Sequence, residues 1–201
     1  DPQTGRYYFY VEGKADFTLP AGRYTALIAR GPMATLVEKE FRVREKREST
    51  VTALLAPVWD AAAAGYVSAD HHVHLNGDGH HRADHGDALR LMAGEDLDQL
   101  APMSWNRWER RIDEAVMGQQ TAEGVRIVTQ GQEVRSHFHG HIGLAGAKNT
   151  FAPWFFGPNN PTLGNPDLTN GDVLAFAEAD GAFPTYVHPI DGDDDPLGSE
   201  Q

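Results

Sequence analysis

The 201-residue chain has room for one large domain or two small ones. Its 17 basic and 29 acidic side chains leave a formal charge of −12. That balance argues against a nucleic-acid backbone or an anionic membrane surface as partner, and it suits local neutralisation by bound cations. With no cysteine in the chain, disulfides and thiolate metal sites are excluded, so any metal must be held by His, Asp or Glu.

No apolar run is long enough to span a bilayer, and the opening "DPQTGRYYFY" lacks the charged start and apolar stretch of a signal peptide. Without an initiator Met, and ending on "DGDDDPLGSEQ", the chain is expected to be a fragment or a processed piece of something longer. Residues 1 to about 57 read as β. "RYYFYVE", "YTALIAR", "EFRVRE" and "STVTALLA" are rich in Val, Tyr, Phe and Thr and partly alternate. "EGKAD", "LPAGR" and "ARGPM" supply the turns between them. The expectation is a small antiparallel β-sandwich over residues 1–58, lacking its first strands. "FTLPAGRYTALIARGP" resembles the prealbumin-like and carboxypeptidase-regulatory-like sandwich modules. The alternative is that these strands simply begin the main domain.

"VWDAAAAGY" (Val58 to Tyr66) reads as a connector. From Tyr66 onward, short apolar segments such as "VSADHHVHL", "VRIVTQGQEV" and "FPTYVHPI" alternate with helical patterns. "DALRLMAGEDL" and "RWERRIDEAVMG" carry apolar residues at three-to-four spacing. "GDVLAFAEADG" follows Asn170, a good N-cap, and reaches Gly181, a good stop. This alternation predicts an α/β domain over 66–201 with a largely parallel sheet. The Pro- and Gly-rich stretch from Thr150 to Thr169 is a long loop.

The chemistry concentrates in histidine. On a strand, Asp70, His72 and His74 of "ADHHVHLN" share one face, and Val73 and Leu75 share the other, packed face with His71. A His-x-His pair places two imidazoles where one divalent ion can use both. Alone this is modest evidence, because a polar loop can hold the same residues. Further on, "GQEVRSHFHGHIGLAG" has Glu133 ending an apolar strand and repeats the i, i+2 spacing at His139 and His141. "FPTYVHPI" ends on His188. Strands ending in His or Glu suggest one site at the edge of a parallel sheet.

"SADHHVHLN", "GQE", "GHIGLAG" and "YVHP" together resemble the PHP (polymerase and histidinol phosphatase) superfamily, and most closely its carbaryl-hydrolase-like CehA/McbA branch. The resemblance covers roughly Tyr66 to Pro189. It implies a distorted (β/α)7 barrel, here partial because the C-terminal part is missing, holding two or three divalent ions (Zn, Mn or Fe) at the strand ends. In that pattern His72 and His74 bind the first metal, Glu133 bridges two metals, and His141 and His188 bind the second. Asp70 stands just ahead of the pair and would orient an imidazole, direct ligation being the alternative. His80 or His81 would reach a third metal. His139 would serve substrate or an outer position as readily as a metal. Two departures stand out. "EDLDQLAPMSWN" lacks the usual acidic-His pair, and no closing Asp-x-His motif follows His188.

The implied activity is hydrolysis with a metal-activated water, because no Cys and no G-x-S-x-G serine offers a nucleophile. The small-molecule substrate would carry an ester, carbamate or amide bond; the superfamily's phosphoesters are the alternative. Arg82 and Arg135 could clamp phosphate or merely form surface ion pairs. Trp105, Trp108, Trp154, Phe155 and Phe156 could wall an uncharged substrate, and "FAPWFFGPNNP" could form a lid or pack on the core. Two rival readings are a metal-stabilised binding or structural module, and an adhesion module in the β-rich N-terminus. A homo-oligomer is open. Compartment is not encoded, although a leading sandwich without cysteine leans towards an exported bacterial protein.

Overall fold

The computed structural model describes residues 8–75, 83–104, 114–136, 139–156 and 168–187. These divide into two compact units, one running to Ser68 and including Arg90–Asp98, the other comprising Ala69–Leu89 and the residues from Gln99 onward.

In the first unit, β1 (Gly22–Ile28) and β2 (Val37–Val43) form an antiparallel ribbon with Gly22 opposite Val43 and Ile28 opposite Val37. Tyr24 and Phe41, opposite one another, stack with ring centroids 5.6 Å apart, the cross-strand pairing that stabilises such ribbons. The expected sandwich is not found among the described residues. The described part of "RYYFYVE" is not a strand. "STVTALLA" is not one either; the stretch just beyond it makes a single bridge, Ala34 to Pro57. The physical reason is burial: a sandwich needs two inner faces packed against each other, and no described residue between 8 and 68 is fully buried. Polar ties order this unit instead. Tyr10 donates its hydroxyl to Glu95, Arg30 pairs with Asp96, and the Ser68 hydroxyl donates to the Asp96 carbonyl.

The second unit is built on an eight-stranded sheet. Its elements are β3 (Ala69–Val73), α1 (His85–Glu95, whose later residues belong to the first unit), β4 (Gln99–Ser104), a 3-10 turn at Glu114–Val116, β5 (Gln120–Glu123), β6 (Arg126–Thr129), β7 (Gly131–Ser136), β8 (His141–Ala145), β9 (Phe155–Phe156), α2 (Asn170–Asp180) and β10 (Phe183–Val187). The order is β10-β8-β7-β4-β6-β5, with β3 also on β4 and β9 also on β7. β4 runs parallel to β3, β6 and β7; β5–β6, β7–β8 and β8–β10 are antiparallel.

This corrects the expected (β/α)7 barrel. The described residues form mostly sheet with two short helices, and no barrel of alternating strands and helices is present among them. A parallel strand needs a crossover of a dozen or more residues, whereas antiparallel neighbours join through a tight turn. Gly124 (φ 59°) and Val125 close the β5–β6 hairpin in two residues, and Gly140 (φ 77°) stands just before β8. Those glycines permit hairpins where the barrel required helices. α2 lies between β8 and β10, but these strands are antiparallel, so it is no barrel crossover.

The core joins Val134, Ile142, Leu144, Ala147, Phe151 and Phe156 to Val173 and Ala177 of α2. On α2, buried Asn170, Val173 and Ala177 follow the i, i+3, i+7 spacing of one helical face. Gly181, at φ 76°, ends the helix as expected. The N-cap is Thr169, one residue ahead of the expected Asn170; Asp172 accepts from its backbone N–H at 2.7 Å and its hydroxyl at 3.0 Å. No helix among the described residues is long and apolar enough to cross a membrane.

Candidate metal centre

Glu133 lies on β7 in the middle of the sheet and is 1 % exposed. A carboxylate buried to this degree is costly unless paired, and it is paired on both oxygens. His141 Nδ1 is 2.8 Å from Oε1, and His74 Nε2 is 3.1 Å from Oε2. Arg135 Nε is 3.5 Å from Oε2. Burial by itself pushes the Glu133 carboxyl up, but the hydrogen bonds from His141 and His74 and the Arg135 charge outweigh it. The net effect holds the group well below the usual carboxylate range.

Strand geometry explains each approach. Glu133 pairs with Gly143, so His141, two residues along β8, stands on the same face as its diagonal neighbour, within reach of a long side chain. His74 follows β3. There the pairing with β4 advances from Asp70–Leu100 to Val73–Pro102, placing one extra residue on β3. This bulge interrupts strict alternation within the stretch read as alternating. His71, expected on the packed side, is exposed. His72 and His74 stay together, their rings edge to face with centroids 5.0 Å apart.

Nitrogen atoms of His72 and His74 and a carboxylate oxygen of Glu133 all lie within 4.8 Å of one another. Donors bonded to one zinc at about 2.0–2.1 Å stand at most about 4.2 Å apart, so the three atoms lie near ligation spacing and could hold one ion after small side-chain shifts. The hydrogen bonding makes the same point. His74 Nδ1 is 2.8 Å from the Met103 carbonyl, so that nitrogen carries a proton. Nε2 then faces the Glu133 carboxylate oxygen at 3.1 Å, on the side where a cation could be held. Two imidazoles and a carboxylate, without thiolate, form a set suited to Zn, Mn or Fe.

Of the other expected site residues, His141 stands against the second oxygen of Glu133. Its Nδ1–H donates there, the arrangement that turns the far ring nitrogen towards a metal. Asp70 is exposed and accepts from the backbone N–H of His72 at 2.9 Å. His139 is exposed; its backbone N–H donates to Ser136 Oγ. His80, His81, Arg82 and His188 lie outside the described residues, as do Trp105 and Trp108. Arg135 is largely buried beside Glu133 rather than on the surface.

Scans against protein-family models, curated proteins and solved structures find no match to this chain.

Several polar residues that the motif reading passed over are buried in the same unit. Asn170, buried at the start of α2, donates through Nδ2 to the carbonyls of His139 and Gly140 at 2.7 and 3.2 Å, tying down the turn before His141. Gln132, fully buried, exchanges two hydrogen bonds with the Phe151 backbone. Gln130 is buried where the apolar run "VRIVTQGQEV", read as one strand, breaks into β6 and β7. Its signal in the sequence was a polar side chain in the middle of that run. A cavity of about 290 Å³ adjoins the strand ends, lined among others by Leu75, Pro102, Met103, Val116, His85 and Gln130. No Lys or Arg lines it among the described residues.

Proposed function

We propose that this chain is a metal-dependent hydrolase that cleaves an ester, carbamate or amide bond in a small molecule. One observation carries the reading: a buried carboxylate, Glu133, gripped on one oxygen by His74 and on the other by His141, with His72 beside it. Residues that hold a catalytic cation must be anchored while leaving a coordination position open. Two imidazoles and one carboxylate would hold a cation here and leave such a position. When bound, a divalent cation supplies Lewis acidity and an acidified water at neutral pH. Glu133 keeps its charge by the bonds it accepts, and the Met103 carbonyl fixes His74.

The motif-level resemblance to the CehA/McbA hydrolases points the same way in its His and Glu positions, although the barrel it implied is not found among the described residues. Among the described residues, the cavity beside β4 is lined by Asp84 and by no Lys or Arg that could match a phosphate. Of the two phosphate clamps considered from the sequence, Arg135 pairs with Glu133, and Arg82 lies outside the described residues. These points favour carboxyl-type bonds over phosphoesters.

Metal analysis of the purified chain tests the reading directly. Zn, Mn or Fe should be retained, and the double variant His72→Ala/His74→Ala should lose most of it. Activity on 4-nitrophenyl acetate exceeding that on 4-nitrophenyl phosphate supports the carboxyl-bond assignment. The reverse order makes the protein a phosphoesterase, and metal retention without turnover of either leaves a metal-stabilised binding module. Unchanged metal content in the double variant removes the site altogether.

A further inference from the structure

Gln130 is 5 % exposed and stands at the break between β6 and β7. Its backbone leaves the β4 ladder: the N–H donates to the Gln119 carbonyl, and the carbonyl accepts from Gly146. Its side chain turns to β4. Nε2 lies 2.9 Å from the Pro102 carbonyl, 2.9 Å from Ser104 Oγ and 3.3 Å from the Gly131 carbonyl. Two carbonyl oxygens face this end of the amide, so it must be the donating NH2. The amide oxygen therefore points the other way, to His85 Nε2 at 3.0 Å. That contact makes His85 Nε2 the protonated nitrogen, and its Nδ1, 2.9 Å from Thr121 Oγ1, accepts from the hydroxyl.

A directed chain of bonds thus runs from Thr121 through His85 and Gln130 to Pro102 and Ser104. Between those two residues stands Met103, whose carbonyl holds the Nδ1–H of His74. Pinning the residues on either side of Met103 fixes the direction of that carbonyl. The carbonyl in turn decides which nitrogen of His74 faces Glu133.

We propose that Gln130 is a positioning residue for His74, locked in its own orientation by His85. The inference rests on the metal-site reading above and adds to it the residues that set the presenting nitrogen. Outer hydrogen-bond partners of metal-binding histidines fix tautomer and ring orientation, and their loss weakens metal affinity by about 10- to 100-fold.

The test uses the full chain and two variants, Gln130→Met, which keeps length and loses the amide, and His85→Phe, which keeps a ring and loses the donor. Circular dichroism establishes folding. Cobalt(II) titration then reads affinity and the visible d–d spectrum. Nitrogen-15 correlation of the histidine rings in metal-free protein reads the His74 Nδ1–H. The expected result is a Kd for cobalt raised about 10- to 100-fold, a changed spectrum, and loss of the protected Nδ1 proton, all in folded protein. A purely structural Gln130 lowers the melting temperature but leaves affinity, spectrum and ring signal as in wild type, and that result overturns the proposal. If Gln130→Met does not fold, the same readouts on His85→Phe decide. If wild-type protein takes up no cobalt, the metal reading fails by itself. The ring signal still judges the positioning, because its survival in the folded variants refutes it.

Discussion

His141 Nδ1 lies 2.8 Å from Glu133 Oε1, although the two residues are not opposite one another in the β7–β8 ladder. Glu133 faces Gly143, and His141 reaches the carboxylate diagonally from two residues along the strand. The pair is buried on both sides, with side-chain exposures of 4 % and 0 %.

Replacing Glu133 by Gln keeps shape and removes the charge. A carboxamide presents one oxygen and one NH2, so it cannot offer one oxygen to His141 and a second to His74 or a cation as the carboxylate can. The expected outcome is metal affinity reduced by more than about tenfold, measured by equilibrium dialysis. Unaltered affinity in the folded variant would show that the carboxylate is structural.

Gly131 is required by close approach, not by its φ. A methyl group there would lie 2.6 Å from the Leu144 carbonyl oxygen and 2.8 Å from Met103 Sδ. The carbonyl belongs to the ladder and cannot swing aside. Gly131→Ala should therefore destabilise the second unit by about 1–3 kcal/mol through overpacking. Thermal denaturation measures this, and a melting point equal to wild type would mean that the sheet yields there.

Asp180 closes α2 onto the loop after β8. It accepts from the Lys148 backbone N–H at 2.7 Å and from Asn149 Nδ2 at 2.7 Å. Partial burial raises its carboxyl pKa, but those hydrogen bonds and the Lys148 charge outweigh it, and the net shift is downward. A carboxyl depressed in the folded state stabilises it above the unfolded value, about 3.9, and loses that contribution as pH falls through the lower, folded value. Asp180→Asn should thus be less stable than wild type near pH 7, with the gap closing below about pH 4. Urea denaturation across that range is the measurement. A gap that stays constant with pH would assign the difference to side-chain shape.

Local features were legible because they depend on near neighbours in the chain. The His-x-His spacing at 72 and 74 and the stop of α2 at Gly181 depend on residues a few positions apart. The barrel and the sandwich were misread because strand partners lie far away in sequence. The bulge on β3 shows this: alternation placed His71 against the core, but one extra residue relative to β4 left it exposed. So does "VRIVTQGQEV", which reads as one strand but pairs with β4 as two.

Residue chemistry alone settled that any metal here meets imidazole and carboxylate, since no thiol exists in the chain. It also singled out Glu133 and the histidines at 72, 74 and 141. Which oxygen meets which ring, and that Gln130, His85 and Asn170 stand behind them, was decided by the tertiary structure. Hydrogen bonds are short and directional, so they depend on strand register and bulges, which form only when distant segments pair.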